Sequence, residues 1–414
     1  MQKLLIIGRT FPEPNTTATG KRMMQLIAFF QQNNYAITFS STAQPTKYSI
    51  DLKEIGISVQ QIELNNASFD EFIKTLQPNI VLFDRFISEE HFGWRVAEKV
   101  PNAIRILDTE DLHFLREARE ISLKKKQPIN LFSALSQREI ASIYRCDVSL
   151  IISEFEMDLL KKEFNIKDSI LHYLPFLVDE NAIKSTNELP SFKERQHFIS
   201  VGNFLHAPNL DAVVWLKKDI WEKIKNELPN AELHIYGAYV PQQVQEFHNK
   251  KEGFIVKGWA KDIDTVMQHA KACLAPLRFG AGLKGKLLDA LLNGTPAITT
   301  TEGAEGMYGD FNAPGVVAEK PIKFIEKAIE LYSNEEKWTE SIAQREEILK
   351  NRFGKQQFQE LLKNKITQLN NNIESHRNKN FVGRILNNNA HNSLKYMSKW
   401  IEEKNKLANR QQTN

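Results

Sequence analysis

What the chain is short of sets the first limits. It has two cysteines in 414 residues, Cys146 and Cys273, far apart and both in apolar surroundings. That excludes a disulfide scaffold and reads as two reduced core thiols in a cytosolic protein. No apolar run approaches the length that crosses a bilayer. The apolar part of the opening MQKLLIIGRT is too short for a secretory leader and reads as a buried first strand. A formal net charge of +3 gives no general case for nucleic acid, so any affinity for anions must come from local patches. A hydrophobic content of 42% over this length allows two domains with separate cores.

What is present is an alternation. The run 4–7 ends at Gly8, a Pro-rich loop follows, and Met23, Met24, Ile27 and Phe30 mark the stripe of a helix over 18–32. Strands are expected at 35–42, 80–83, 103–107, 148–152 and 170–174, with helices at 69–76, 89–99 and 154–164. A helical stretch interrupted around 124–130 leads to Arg145. Such alternation implies a parallel sheet covered on both faces, which binds ligands at the carboxyl ends of its strands. Residues 179–196 lose periodicity and read as a linker. The alternation restarts with strands at 198–201, 232–236, 254–257, 272–277 and 297–300, and one at Val316. Helices are expected from Asn209 and at 242–249, 262–270, 287–292, 322–332 and 335–351. The fold class is therefore α/β, with two doubly wound Rossmann-like domains, 1–178 and 197–350, facing across a cleft.

Beyond residue 375 the composition turns to Asn, Lys and Arg. Phe381, Val382, Ile385, Leu386, Leu394, Met397, Trp400 and Ile401 recur at helical spacing among Lys395, Lys399, Lys404 and Lys406. This basic amphipathic tail, 375–414, suits peripheral contact with a membrane surface or a partner. A solvated helical extension fits the pattern equally.

The chain is organised around 273–301. An apolar strand breaks into Arg278-Phe279-Gly280-Ala281-Gly282-Leu283-Lys284-Gly285-Lys286, which opens into a helix that Asn293-Gly294 ends. Free amides at a helix start, reinforced by Lys284 and Lys286, make an anion site suited to the diphosphate of a sugar nucleotide. Gly280-x-Gly282-x-x-Gly285 also matches the dinucleotide fingerprint, but that motif belongs to the first strand-to-helix turn of its domain and here follows several strand–helix units.

In order and spacing, the segments 200–215, Leu233 to Gly237, Val256 to Trp259, 274–286 and Gly294-Thr295-Pro296 resemble the bacterial group 1 glycosyltransferases of the GT-B fold. The likeness is concentrated in 198–307. It implies a C-terminal domain that holds a nucleotide-sugar donor, an N-terminal domain that holds a glycan or lipid-linked acceptor, and a last helix, 351–374, crossing back to the N-terminal domain. The implied activity is a metal-independent, hexosyltransferase-like reaction with retention, in surface polysaccharide or glycolipid assembly, in the cytoplasm or at the inner face of the membrane. No cofactor is implied beyond the donor itself. The competing functions are a sugar-nucleotide epimerase and a non-catalytic nucleotide- or glycan-binding protein.

Position by position, Asp289 falls on the second acid of the family's Glu-x7-Glu motif, which bonds the ribose hydroxyls, and the first acid falls on Ala281. Gly202 and Asn203 end the domain's first strand, where the family commonly has basic residues, leaving Lys284, Lys286 and Arg278 to meet the diphosphate. Gly280, Gly282 and Leu283 complete the donor loop. Trp259 is placed to lie against the base or to pack as core. Glu302 and Glu305 are placed to meet sugar hydroxyls or to lie in a solvated loop. In the N-terminal half, Gly20, Arg22 and Asp84, with Arg9, are the cleft candidates. Asp108 and His113, near the carboxyl end of a strand, are the catalytic candidates, with helix packing as the alternative for His113. No metal site is expected: Asp262-Ile263-Asp264 reads as a helix cap.

Overall fold

The computed structural model describes residues 1–412, with side chains outside 389–394 and 409–412. Leu394 of the tail pattern thus lies outside the described side chains. The first sheet contains β1 (Gln2–Gly8), β2 (Tyr35–Ser41), β3 (Ser58–Gln61), β4 (Ile80–Asp84), β5 (Ile104–Asp108), β6 (Val148–Ile151) and β7 (Leu171–Tyr173). Its order is β3-β2-β1-β4-β5-β6-β7, with every pair parallel. The second contains β8 (Gln196–Val201), β9 (Leu233–Tyr236), β10 (Phe254–Gly258), β11 (Ala270–Ala275), β12 (Ala297–Thr299) and β13 (Gly315–Val317), in the parallel order β10-β9-β8-β11-β12-β13. The central strands β1 and β11 are near-continuous apolar runs because helices cover both their faces. Strand order reverses at β1/β4 and at β8/β11, so each sheet opens a crevice at that point, beyond its carboxyl edge.

Around the first sheet lie α1 (Ala18–Gln32), α2 (Ser68–Leu76), α3 (Arg85–Lys99), α4 (His113–Lys125), α5 (Ala134–Arg145) and α6 (Glu154–Phe164). Around the second lie α7 (Ala207–Trp215), α8 (Trp221–Glu227), α9 (Gln242–Gln245), α10 (Ile263–His269), α11 (Gly285–Leu292), α12 (Thr301–Ala304), α13 (Pro321–Ser333), α14 (Glu335–Ser341) and α15 (Arg345–Phe353). α16 (Lys355–Lys379) returns to the first sheet and buries Phe358, Leu362, Ile366 and Leu369 in its core beside Leu4, Ile6 and Ile106. α17 (Phe381–Gln412) follows it.

Several elements differ from the sequence expectation. α3 begins at Arg85 rather than 89, because Arg85 takes a left-handed φ of 69° and turns the chain directly from strand into helix. The expected helix 335–351 is two helices, α14 and α15. The helix from Asn209 starts at Ala207, and a π-turn over Leu216–Ile220 separates α7 from α8. β3, a polar edge strand of sequence SVQQ, shows no apolar alternation and was not expected.

The chain passes between the sheets twice, and the two passages touch. Val178 N–H donates to Phe353 O and Lys355 N–H donates to Val178 O, each at 2.8 Å, and Gln356 N–H donates to Glu180 Oε1 at 3.2 Å.

Candidate active site between the sheets

The glycine and lysine loop follows β11, at the switch point of the second sheet, and its glycines let the first domain approach. A Cβ on Gly282, whose φ is 63°, would stand 2.9 Å from Asp111 Cβ, and one on Gly285 would stand 2.5 Å from Ala18 Cβ at the start of α1. Gly282 N–H donates across the boundary to Glu156 Oε1 of α6 at 2.9 Å, and Leu112 N–H donates to the same oxygen at 2.9 Å. Glu156 is fully buried and its other oxygen has no hydrogen-bond partner. Burial, with the charge of Asp111 adding to it, pushes this acid up to about 8.

Lys284 turns inward. Its Nζ donates to Gly282 O at 2.6 Å and to Ala281 O at 3.2 Å, and burial lowers its pKa against the pull of Glu305 and Glu156. Lys286 Nζ donates to Asn209 Oδ1 at 2.7 Å, and burial, with Lys284 nearby, pushes it down to about 8. No side chain caps the start of α11. Its first amides, flanked by two lysines, are therefore the orphan donors of a helix start. Asp289, on the same helix, is bonded by Lys21 Nζ of α1 at 2.6 Å, and burial raises its pKa.

A second bridge crosses nearby. Arg119 of α4 forks onto Glu305 at 2.9 and 2.7 Å and donates to Gly280 O at 2.8 Å. A third closes the cleft's other flank: Trp259 Nε1 donates to Asn15 O at 3.1 Å, and Tyr239 hydroxyl donates to Glu13 Oε1 at 2.9 Å. Tyr48 lies against both rings, with centroids 5.3 Å from Tyr239 and 5.2 Å from Trp259.

The remaining candidates are distributed as follows. Asp108 is sealed beneath Arg22, which donates from Nη2 and Nε at 2.8–3.1 Å and from Nη1 to Leu174 O at 2.7 Å. His113 opens α4 with Nδ1 3.4 Å from both Asp111 and Glu139 carboxylates, its ring edge-on to Phe86. Asp84 accepts from Arg9 N–H at 2.9 Å and lies 3.2 Å from Arg85 Nε. Gly20 packs where a Cβ would strike the Glu13 backbone at 2.5 Å. Asn203 Oδ1 accepts from Leu205 N–H, and its carbonyl accepts from Asn209. Gly202 sits against the Asn209 side chain. Arg278 forks onto Asp211 at 2.8 and 2.5 Å over the Trp215 ring, so its charge is already matched. Leu283 is buried in an apolar cluster with Ile152 and Met307. Glu302 is half-buried in the first turn of α12, and burial raises its pKa. Asp262 caps α10, accepting from the amides of Asp264 and Thr265.

Gly280, Gly282, Gly285, Asp289 and Trp259 thus meet the first domain in one seam, whereas the contacts of Gly20 and His113 lie within the first domain, and the side chains of Lys284, Lys286, Arg278 and Asn203 make their hydrogen bonds within the second. Sequence reasoning missed Glu156, Arg119 and the pairing role of Lys21. The only available signal was Arg116 and Arg119 placed i,i+3 on a helix that follows a strand.

Residues 195–334 match the family model for Glycosyl transferases group 1. No curated protein matches the chain. Among solved structures, it is similar to the sucrose-phosphate synthase of Thermosynechococcus elongatus, with TM-score 0.66 and 13% identity over 89% of this chain and 99% of that one. It is also similar to Anabaena HepE, solved with UDP and glucose, with TM-score 0.64 and 9% identity over 89% and 100%. Against an S. aureus TarM mutant in complex with fondaparinux, alpha-GlcNAc-glycerol and UDP, the TM-score is 0.57 and the identity 12%, over 72% of this chain. There the chain spans 57% of the matched protein's length. The family match thus covers the second sheet, and the chain as a whole shares the fold of these solved structures, two facing doubly wound sheets of the GT-B type.

Proposed function

We propose that the chain transfers a sugar, a hexose with retention, from a nucleotide diphosphate sugar to a hydroxyl of a glycan or lipid-linked acceptor, without a required metal, in surface polysaccharide or glycolipid assembly. The observation that carries this is the uncapped start of α11 between Lys284 and Lys286, which follows the switch-point strand β11 and packs against Ala18 at the start of α1. Cleaving the bond between sugar and diphosphate develops negative charge on the leaving phosphate. The fixed amides stabilise that charge with little reorganisation, and the two lysines add to it once their ammonium groups turn from Gly282, Ala281 and Asn209 toward the ligand. Asp289 is the group for the ribose hydroxyls, once a nucleotide displaces Lys21. His113 and Glu302 are the side chains assigned to the sugar and acceptor side. Asp108, locked under Arg22, acts as a positioning residue that anchors α1 to the end of β5. The nucleotides in the HepE and TarM complexes support a nucleoside diphosphate as ligand.

A non-catalytic binding protein is the second reading, favoured by Ala281, which is buried against the first domain's core where the resemblance expects an acid. Thermal unfolding with a panel of nucleoside diphosphates tests the shared site; a ligand at about a hundred times its Kd adds roughly 2.7 kcal/mol. Protection by one of them, lost in Lys284→Ala plus Lys286→Ala, is expected. Equal protection of both proteins refutes the diphosphate site. Turnover of the matching nucleotide sugar, dependent on an acceptor extract, separates the enzyme from the binding protein.

A further inference from the structure

Helix α17 is docked by its polar side. Gly383 lies so close to the first domain that a Cβ would meet Tyr144 O at 2.2 Å. Asn387 Oδ1 accepts from Arg105 Nη1 at 3.0 Å, Ser398 accepts from buried Arg95 at 3.1 Å, and Glu402 bonds the same guanidinium. Lys395 pairs with Glu98 at 2.5 Å. Just upstream, Arg377 forks onto Asp147 with two contacts of 2.8 Å. Positions 383, 387, 398 and 402 fall on one stripe of the helix, and that stripe faces α3 and α5.

The opposite stripe is apolar and faces water. Val382, Ile385, Tyr396, Trp400 and Leu407 follow helical spacing and are 44–66% exposed, flanked by Phe381 and Met397 at 65% and 63%. An amphipathic helix held by its polar side keeps its apolar side for another surface. Charge says which kind. Residues 375–414 carry eight Lys and Arg against two Glu in a chain whose net charge is only +3. Lys399 and Lys404 flank the stripe, with Lys404 Nζ 5.3 Å from the Trp400 ring. Two such helices brought face to face would press their basic rims together, whereas an anionic surface attracts them.

We propose that α17 lies in the headgroup region of a bilayer containing anionic lipids, its tyrosine and tryptophan at the interface, and seats the first domain against the membrane. Among the described residues no helix is long and apolar enough to cross a bilayer, which fits a helix lying in the membrane plane. The proposal does not depend on the glycosyltransferase chemistry.

The test is co-flotation of the full chain with vesicles. Binding to mixed phosphatidylcholine and phosphatidylglycerol vesicles, release by salt, and little binding to phosphatidylcholine alone are expected. Tyr396→Ser plus Trp400→Ser lowers the partition by about tenfold or more, with the unfolding temperature of the domains unchanged. Lys399→Glu plus Lys404→Glu removes the preference for the anionic vesicles. Three results overturn the proposal: no flotation with anionic vesicles, flotation unaffected by the Tyr396 and Trp400 substitutions, or sedimentation showing a wild-type dimer that these substitutions dissociate.

Discussion

Glu156→Gln is the substitution that most directly probes how the two domains are joined. In the wild type, Oε1 accepts from Leu112 and Gly282 amides while Oε2 is buried without a partner, and burial raises the pKa from 4.5 to about 8. A folded-state pKa above the unfolded value means that the stabilising contribution is complete below about pH 4.5 and is lost as pH rises through 8. At 1.36 kcal/mol per pH unit, ionising the group in place costs at most about 5 kcal/mol. Relaxation of the site reduces this to roughly 2–3 kcal/mol. Glutamine keeps the carbonyl acceptor for both amides and cannot ionise. Its unfolding temperature should therefore track that of the wild type near pH 5 and exceed it increasingly toward pH 9, by about 4–8 °C. Glu156→Ala should instead be destabilised at every pH by about 2–4 kcal/mol, because two buried amides lose their acceptor. Differential scanning calorimetry across pH 5–9 reads both. A wild-type and glutamine difference that does not change with pH, or an alanine variant as stable as the glutamine one, would refute the reasoning.

Two further expectations concern the same seam. Gly285→Ala places a methyl 2.5 Å from Ala18 Cβ, and the separation it forces should cost about 1–3 kcal/mol and weaken nucleotide binding by titration calorimetry, with each isolated core intact. Lys21→Met removes the ion pair to Asp289, in which the lysine is 35% exposed, so its stability cost should stay within about 1 kcal/mol. If Lys21 only shields Asp289, nucleotide affinity should rise severalfold; an affinity that falls would show that Lys21 itself meets the ligand.

The first and central strands were legible because their apolar runs, 4–7, 80–83 and 272–275, are buried on both sides. The glycine and lysine loop was legible because strand, loop and helix fall within one short stretch. What could not be read is what crosses between domains. Arg119 and Glu305 are separated by 186 positions; Arg119 looks like an ordinary surface charge on its helix, and Glu305, read as facing sugar hydroxyls or solvent, carries no sign of a partner in the first domain. Glu156 sits between Phe155 and Met157 in a helix rich in Lys and Glu, so nothing local marks it as buried. Nor does sequence show that Arg278 is matched by Asp211, since that pairing follows from the packing of α7 beside the loop.

The paired passages at Val178 and Phe353–Lys355 have a mechanical consequence. Two strands of backbone, hydrogen-bonded to one another at 2.8 Å on both sides of Val178, form a single pivot where two separate tethers would have allowed sliding as well as rotation. Any opening of the seam is then a swing about that point. Contacts lying farther along the lever arm travel through a wider arc for the same angle. The width of the gap between the two sheets is therefore set by a few backbone torsions around 178 and 354.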